Sequence, residues 1–220
     1  MSESSLHAAL KGSYARPGDP LEAPVDGYEI DVLNGGLLIE VQTGNFTQLK
    51  PKLEKLLAAG HSLLVVHPIQ VRKWIVRQTA SGRKIGRRRS PRLGRLEDLF
   101  YELVRIPHLL GHPALALEVV FVHTEEVRCN DGAGSWRRKG WSIVDSRLLE
   151  ITGRRRFQTP TDYLALLPAE LAQPFTNREL AEAGHLPPAL ARKMTYTLRR
   201  AGWLHPAGRR GRAQLFSVPT

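Results

Sequence analysis

The 220-residue sequence predicts an α/β fold, a mixed sheet flanked by helices, with a smaller helical unit after it. Three observations lead there. Residues 5–69 alternate helical and strand periodicity in the order helix, hairpin, helix, strand, an order that buries both kinds of element when helices cover a sheet. A 42% hydrophobic content can fill an ordinary core at this length. From Thr159 the pattern changes to three short helices and a terminal hairpin.

Taken in order, residues 5–15 form a short helix with Leu6, Ala9 and Leu10 on one face, ending before Pro17-Gly18. PLEAPVDGYEIDVL is extended, with Pro20 and Pro24 marking an edge or bend. Asn34-Gly35-Gly36 supports a tight hairpin whose returning strand is LLIEVQT. Phe46 to Ala59 places Leu49, Leu53, Leu56 and Leu57 at helical spacing, closed by Gly60, and SLLVVHPI is an apolar run suited to a buried strand. RKWIVRQTASGRKIGRRRSP is expected to be a strand and a basic loop. LGRLEDLFYELVRIPHLLGHP is expected to be helical, with Leu96, Leu99, Phe100 and Leu103 inward. LEVVFVHTEEVR and GWSIVDSRLLEI are two strands around a polar loop, CNDGAGSWRRK. TPTDYLALLP is one helix, and FTNRELAEAG opens a second with a Thr176-to-Glu179 capping box. HLPPALARKMTYTLRRAGW is a third, begun by a proline pair and ended near Gly202, before a hairpin with a Gly- and Arg-rich tip. Helix, turn, basic helix, hairpin is the layout of a winged helix-turn-helix. The expected boundaries are 1–157 and 158–220.

No apolar run approaches the roughly 20 residues a bilayer span needs, and MSESSLHAALKGS lacks the basic-then-apolar order of a signal peptide, so a cytoplasmic location and no membrane partner are expected. Cys129 is the only cysteine, which excludes an intrachain disulfide and a cysteine-rich zinc site. The histidines lack metal-ligand spacing, and no Walker, dinucleotide or nucleophile-elbow pattern is present. Net charge +11 and a pI near 10.3 point to a polyanionic partner. Ten basic and no acidic residues lie between Arg72 and Arg95, most of them arginine, which suits forked contacts to phosphate.

Two strands that should build a core carry Asp31, Glu40 and Gln42. Alternation puts Glu29 and Asp31 on one face of the first strand, and Leu38, Glu40 and Gln42 on one face of the second. If the hairpin register sets those faces together, Asp31 and Glu40 converge. Two carboxylates held together repel unless a cation intervenes, and oxygen ligands of this kind suit Mg²⁺. Such an ion polarises a phosphodiester and lowers the pKa of an attacking water. The bland alternative is an exposed polar strand face.

With its Gly27, Glu29, Ile30, Asp31 half and its Leu38, Glu40, Val41, Thr43 half, this stretch resembles the core of the PD-(D/E)xK nuclease superfamily, nearest its Holliday-junction-resolvase-like endonucleases. The chain as a whole also resembles an uncharacterised bacterial family. The nuclease resemblance covers roughly residues 5 to 70. It implies a restriction-endonuclease-like sheet, Mg²⁺ held by Asp31 and Glu40, and catalysis by Asp31, Glu40 and Gln42. Two departures stand out. The superfamily's usual lysine is Gln42 here, a replacement some of its restriction enzymes share. The acid often given by the first helix has no candidate but Glu3, with His7, Glu22 or Glu29 as substitutes.

The expected DNA contacts are Arg87, Arg88, Arg89 and Arg92 in the basic loop, Arg192, Lys193, Arg199 and Arg200 on the third carboxyl-terminal helix, and Arg209 and Arg210 at the hairpin. Thr195 and Tyr196 share that helix, Arg212 the hairpin tip, and Trp136-Arg137-Arg138-Lys139 and Arg154-Arg155-Arg156 add charge. The expected function is a Mg²⁺-dependent DNA endonuclease acting on duplex or branched DNA. The alternative is a nuclease-fold DNA-binding protein or transcriptional regulator without catalysis. RNA as the partner and a homodimer both remain open.

Overall fold

The computed structural model describes residues 4–134, 136–138 and 140–219, so Glu3 and Lys139 lie outside the described residues. The fold is mixed α/β. Its strands are β1 (Leu21–Val25), β2 (Tyr28–Asn34), β3 (Leu37–Val41), β4 (Ser62–Gln78), β5 (Lys84–Arg89), β6 (Leu115–Asn130) and β7 (Trp141–Phe157). They form one sheet in the order β1-β2-β3-β4-β6-β7, with β5 beside the far half of β4. β3 and β6 run parallel to β4, and the remaining pairs are antiparallel.

Helices cover both faces. On one side α1 (Ser5–Tyr14) packs Leu6 and Leu10 against Val32, Ile39, Val41, Leu64 and Val66. On the other, α2 (Phe46–Ala58) seats Phe46, Leu49, Leu53 and Leu56 over Leu38, Leu63 and Val65. Burying each such side chain contributes about 1.5–3 kcal/mol. These two helices hold the β2–β3 hairpin from opposite sides.

Three differences from expectation have physical reasons. SLLVVHPI and RKWIV are one strand, because Pro68 lies where β4 needs no donor. Val66 turns its carbonyl toward β3, accepting the Gln42 N–H at 2.8 Å, so residue 68 faces the same way just past the end of β3. The loop at 90–94 caps that open edge through Ser90 N–H to Lys73 O (2.8 Å) and Gly94 N–H to Gln70 O (2.9 Å). Only glycine fits at 94, since a Cβ there would come within 2.8 Å of the Gln70 oxygen. The expected basic loop contains β5, paired Ile75↔Arg88 and Trp74↔Arg89, so the exposed β4 edge imposes a strand that GRKIGRRR does not advertise by alternation. The expected long helix at 93–113 is a 3-10 turn at Leu96–Leu99 running into the single turn α3 (Phe100–Leu103), and Pro107 prevents its continuation. Leu99, Phe100 and Leu103 do face inward.

β4, β6 and β7 are 17, 16 and 17 residues long and run beyond the helices as an arm. There Glu126 sits between Lys73 (3.0 Å) and Arg128 (2.6 Å). Burial works to raise its pKa, but these two cations hold it below the usual glutamate range. Glu126→Gln is expected to cost about 1–3 kcal/mol at neutral pH. A depressed carboxylate contributes above its unfolded pKa and loses that contribution as pH falls through its folded pKa, so the deficit should vanish in acid. Thermal unfolding of both proteins across that range checks this.

After Phe157 come α4 (Pro160–Leu164), α5 (Asn177–Ala183), α6 (Pro188–Arg200) and a separate hairpin, β8 (His205–Arg210) with β9 (Ala213–Ser217). The same apolar cluster that holds α2 and β3 continues through Leu180, Leu190, Met194, Leu198 and Phe216. Tyr163 joins it, 5.3 Å from Phe157 and 5.1 Å from Trp203 between ring centres. Arg95 adds polar anchors, donating to the carbonyls of His185 (2.7 Å) and Gly184 (2.9 Å). No helix among the described residues is long and apolar enough to cross a membrane.

Candidate active site and nucleic-acid surface

Pairing of β2 with β3 is regular from Asn34↔Leu37 to Val32↔Ile39 and then stops. One step further, the same register would set Asp31 opposite Glu40. The strands fork there, and each acid is taken by a different helix. Asp31 Oδ2 accepts the Val41 N–H at 2.7 Å and lies 3.3 Å from His7 Nε2 on α1, which also reaches the Val41 carbonyl at 2.8 Å. Glu40, 6% exposed, holds Lys52 Nζ of α2 at 2.5 Å, and that ammonium also donates to the Glu29 carbonyl.

The electrostatics still couple the pair. Burial pushes Asp31 up, but the His7 and Val41 hydrogen bonds and the nearby cations, Lys52 among them, hold it below the usual aspartate range. Burial pushes Glu40 up, Lys52 opposes this, and the charge of Asp31 adds to the rise, leaving Glu40 above the glutamate range. Repulsion between like charges is what a divalent cation relieves. Among the described residues no group of three or more His, Cys, Asp or Glu is placed to hold a metal. Two carboxylates nonetheless suit Mg²⁺, which keeps waters and takes phosphate oxygens for its remaining positions.

Gln42 lies just past β3, and its side-chain amide donates to the Gly44 carbonyl, bracing the turn into α2. Its own carbonyl accepts from His67 Nδ1 at 2.7 Å. Of the substitutes for the missing first-helix acid, His7 is at the site. Glu22 pairs instead with Lys11 at 2.7 Å, and the Glu29 side chain points outward. Lys52 was not foreseen, though a signal exists: it shares the inward stripe of Leu49 and Leu56, an unusual place for an ammonium without a partner.

The basic residues fall in two places. Arg87, Arg88 and Arg89 line the exposed β5, with Arg87 on Glu125 (2.7 Å) and 4.8 Å from the Trp74 ring, and Arg92 follows on the exposed loop. On α6, Arg192, Lys193, Tyr196, Arg199 and Arg200 share one face, while Leu190, Met194 and Leu198 are fully buried. Thr195 belongs to the buried side, its hydroxyl 2.5 Å from Asn177 Oδ1. Arg209 and Arg210 are exposed on β8, Arg210 paired with Glu179, and Arg212 flanks a hollow that Arg192 also lines.

A family model described as Domain of unknown function (DUF8091) matches residues 4–158, a span that takes in the whole sheet and ends before α4. An "Uncharacterized protein" of Treponema pallidum (strain Nichols) is 33% identical over 218 residues, covering 97% of this chain and 84% of that protein, so the likeness extends well beyond the residues the family model matches. No solved structure matches the chain.

Proposed function

The chain belongs to the DUF8091 family, and from its own residues we propose that it is a Mg²⁺-dependent deoxyribonuclease of the PD-(D/E)xK kind, carried to DNA by a carboxyl-terminal winged helix-turn-helix. The observation that carries this reading is the fork of β2 and β3, where a buried Glu40 feels the charge of Asp31 and holds Lys52 Nζ at 2.5 Å. Asp31 and Glu40 would hold Mg²⁺, which when bound polarises the phosphodiester and makes an attacking water more acidic.

The chain's own groups do the rest. Lys52 supplies the ammonium that position 42 lacks, placed from α2 to offset charge building on the phosphoryl oxygens. His7 is a positioning residue, fixing Asp31 against the Val41 peptide. Gln42, braced on Gly44, offers its amide oxygen to orient water. In the winged helix-turn-helix, α5 packs behind α6, α6 enters the major groove with its arginine stripe, and the β8–β9 tip reaches the neighbouring backbone. A soluble, cytoplasmic protein with DNA as partner fits this reading.

A second reading, a DNA-binding regulator without catalysis, draws support from Lys52 and His7, which already occupy both acids, and from Gln42 in place of lysine. Plasmid and branched DNA incubated with Mg²⁺, Mn²⁺, Ca²⁺ or chelator separates the two. Metal-dependent nicking is expected. Binding without cleavage under every metal would leave the regulator.

A further inference from the structure

We infer that the cavity next to Gln42 takes one unpaired nucleotide, its base inward and its phosphate at the mouth. The inference rests on nucleic acid being the partner but not on cleavage. The cavity encloses about 280 Å³ beyond the carboxyl end of β3, at the low end of ligand clefts and on the side of a sheet where ligands bind in α/β folds.

Its inner wall accepts hydrogen bonds. His67 is 8% exposed, and its Nδ1 faces the Gln42 carbonyl at 2.7 Å. A carbonyl only accepts, so Nδ1 carries the hydrogen and Nε2 is left with a lone pair. Burial favours the neutral ring. Glu102 spends Oε2 on the Phe46 N–H (2.9 Å) and Asp98 spends Oδ2 on the Arg95 N–H (3.2 Å), so each keeps a second oxygen. Acceptors of this kind match the amino and ring N–H groups of a base edge. They would repel a bare phosphate.

The mouth is cationic. Arg92 is exposed, and among the described residues no carboxylate lies within ion-pair distance of its guanidinium. Lys73 stands beside it, shared with Glu126 at 3.0 Å. Pro68, Ile69 and the Tyr101 ring supply apolar surface for the faces of a base. Lys193 of α6 lies 5.8 Å from that same ring, so the cavity adjoins the arginine stripe. Thr43 at the rim is three residues, about 10 Å of strand, from Glu40, which makes the captured nucleotide a near neighbour of the proposed reaction.

The test uses the full chain in chelator, with a duplex carrying one bulged 2-aminopurine and the same duplex with that base paired. The expected result is binding roughly ten-fold tighter to the bulged duplex, with a change in 2-aminopurine emission. Thr43→Trp, which fills the mouth from an exposed position, should erase the preference, and Arg92→Ala should reduce it. Equal affinity for both duplexes, or a preference that Thr43→Trp leaves intact, would overturn the inference. Displacement by deoxyadenosine 5′-monophosphate would assign the same base-plus-phosphate chemistry to a free nucleotide, and no displacement would assign it to a nucleotide within DNA. Because no metal is present, a failure of cleavage leaves this readout unmoved, and equal affinities leave the cleavage result standing.

Discussion

Asp31→Ala and Glu40→Ala are each expected to lower Mg²⁺-dependent cleavage by on the order of 10³-fold or more, since Lewis-acid stabilisation supplies several kcal/mol and about 1.4 kcal/mol is one decade in rate. The two variants should differ in what else they disturb. Asp31→Ala frees His7 and the Val41 N–H from their carboxylate, and Glu40→Ala leaves Lys52 beside the Glu29 carbonyl without its acid. Lys52→Met tests the cation itself. It should lose about 10²- to 10³-fold in rate while DNA binding holds, and Lys52→Arg should recover part of that loss. The pH profile gives a separate readout. Glu40 must be ionised to hold a cation, and burial together with Asp31 raises its pKa, so activity should fall off in acid at a higher pH than an ordinary glutamate would impose. Lys52 opposes that rise, so Lys52→Met should move the acid limb further up. Initial rates of plasmid nicking across pH check both points, and cleavage that survives Asp31→Ala and Glu40→Ala together would remove the site.

Neutralising the α6 stripe should have the largest effect on binding. Each cation that meets a phosphate adds about 0.9 to the slope of log affinity against log salt. The variant Arg192→Ala, Lys193→Ala, Arg199→Ala, Arg200→Ala should therefore flatten that slope by about 3 to 4 and weaken duplex binding by at least about 100-fold at physiological salt. Folding should change little, because three of the four are exposed and the inward residues Leu190, Met194 and Leu198 are untouched. Lys193 is the exception, since its ammonium lies over the Tyr101 ring, a contact of about 0.5–1 kcal/mol. An unchanged slope in titrations from low to moderate salt would mean this face does not meet the phosphates.

The hairpin and α2 were legible because their signals are local. Gly35 and Gly36 take the left-handed backbone a tight turn requires, with φ of 55° and 89°, and the leucines of α2 repeat at helical spacing. The capping box was legible for the same reason. Thr176 accepts the Glu179 N–H at 3.2 Å, and Glu179 returns to the Thr176 N–H at 2.7 Å. What was not legible depends on pairing between distant segments. Nothing near Pro68 says that β3 has already ended beside it, so the chain looks broken where β4 continues. Nothing in GRKIGRRR announces the edge of β4 that makes it a strand. The Asp31 and Glu40 pairing was half legible. Alternation put the two acids on facing strand positions, but it breaks at Asp31, with Ile30 in the α2 cluster and Val32 in the α1 cluster, and the fork that sends one acid toward α1 and the other toward α2 depends on His7 and Lys52, 24 and 12 residues away in sequence.

The apolar cluster that runs unbroken from α2 into α6, pinned by Arg95 on Gly184 and His185, has a mechanical corollary. The arginine stripe and the strands that carry the forked acids are joined through one continuous core rather than by a bare linker. Under the proposed function, a nucleic acid gripped by α6 would meet the acids at a set offset, as if measured by a ruler, and would itself have to supply any bend the journey demands.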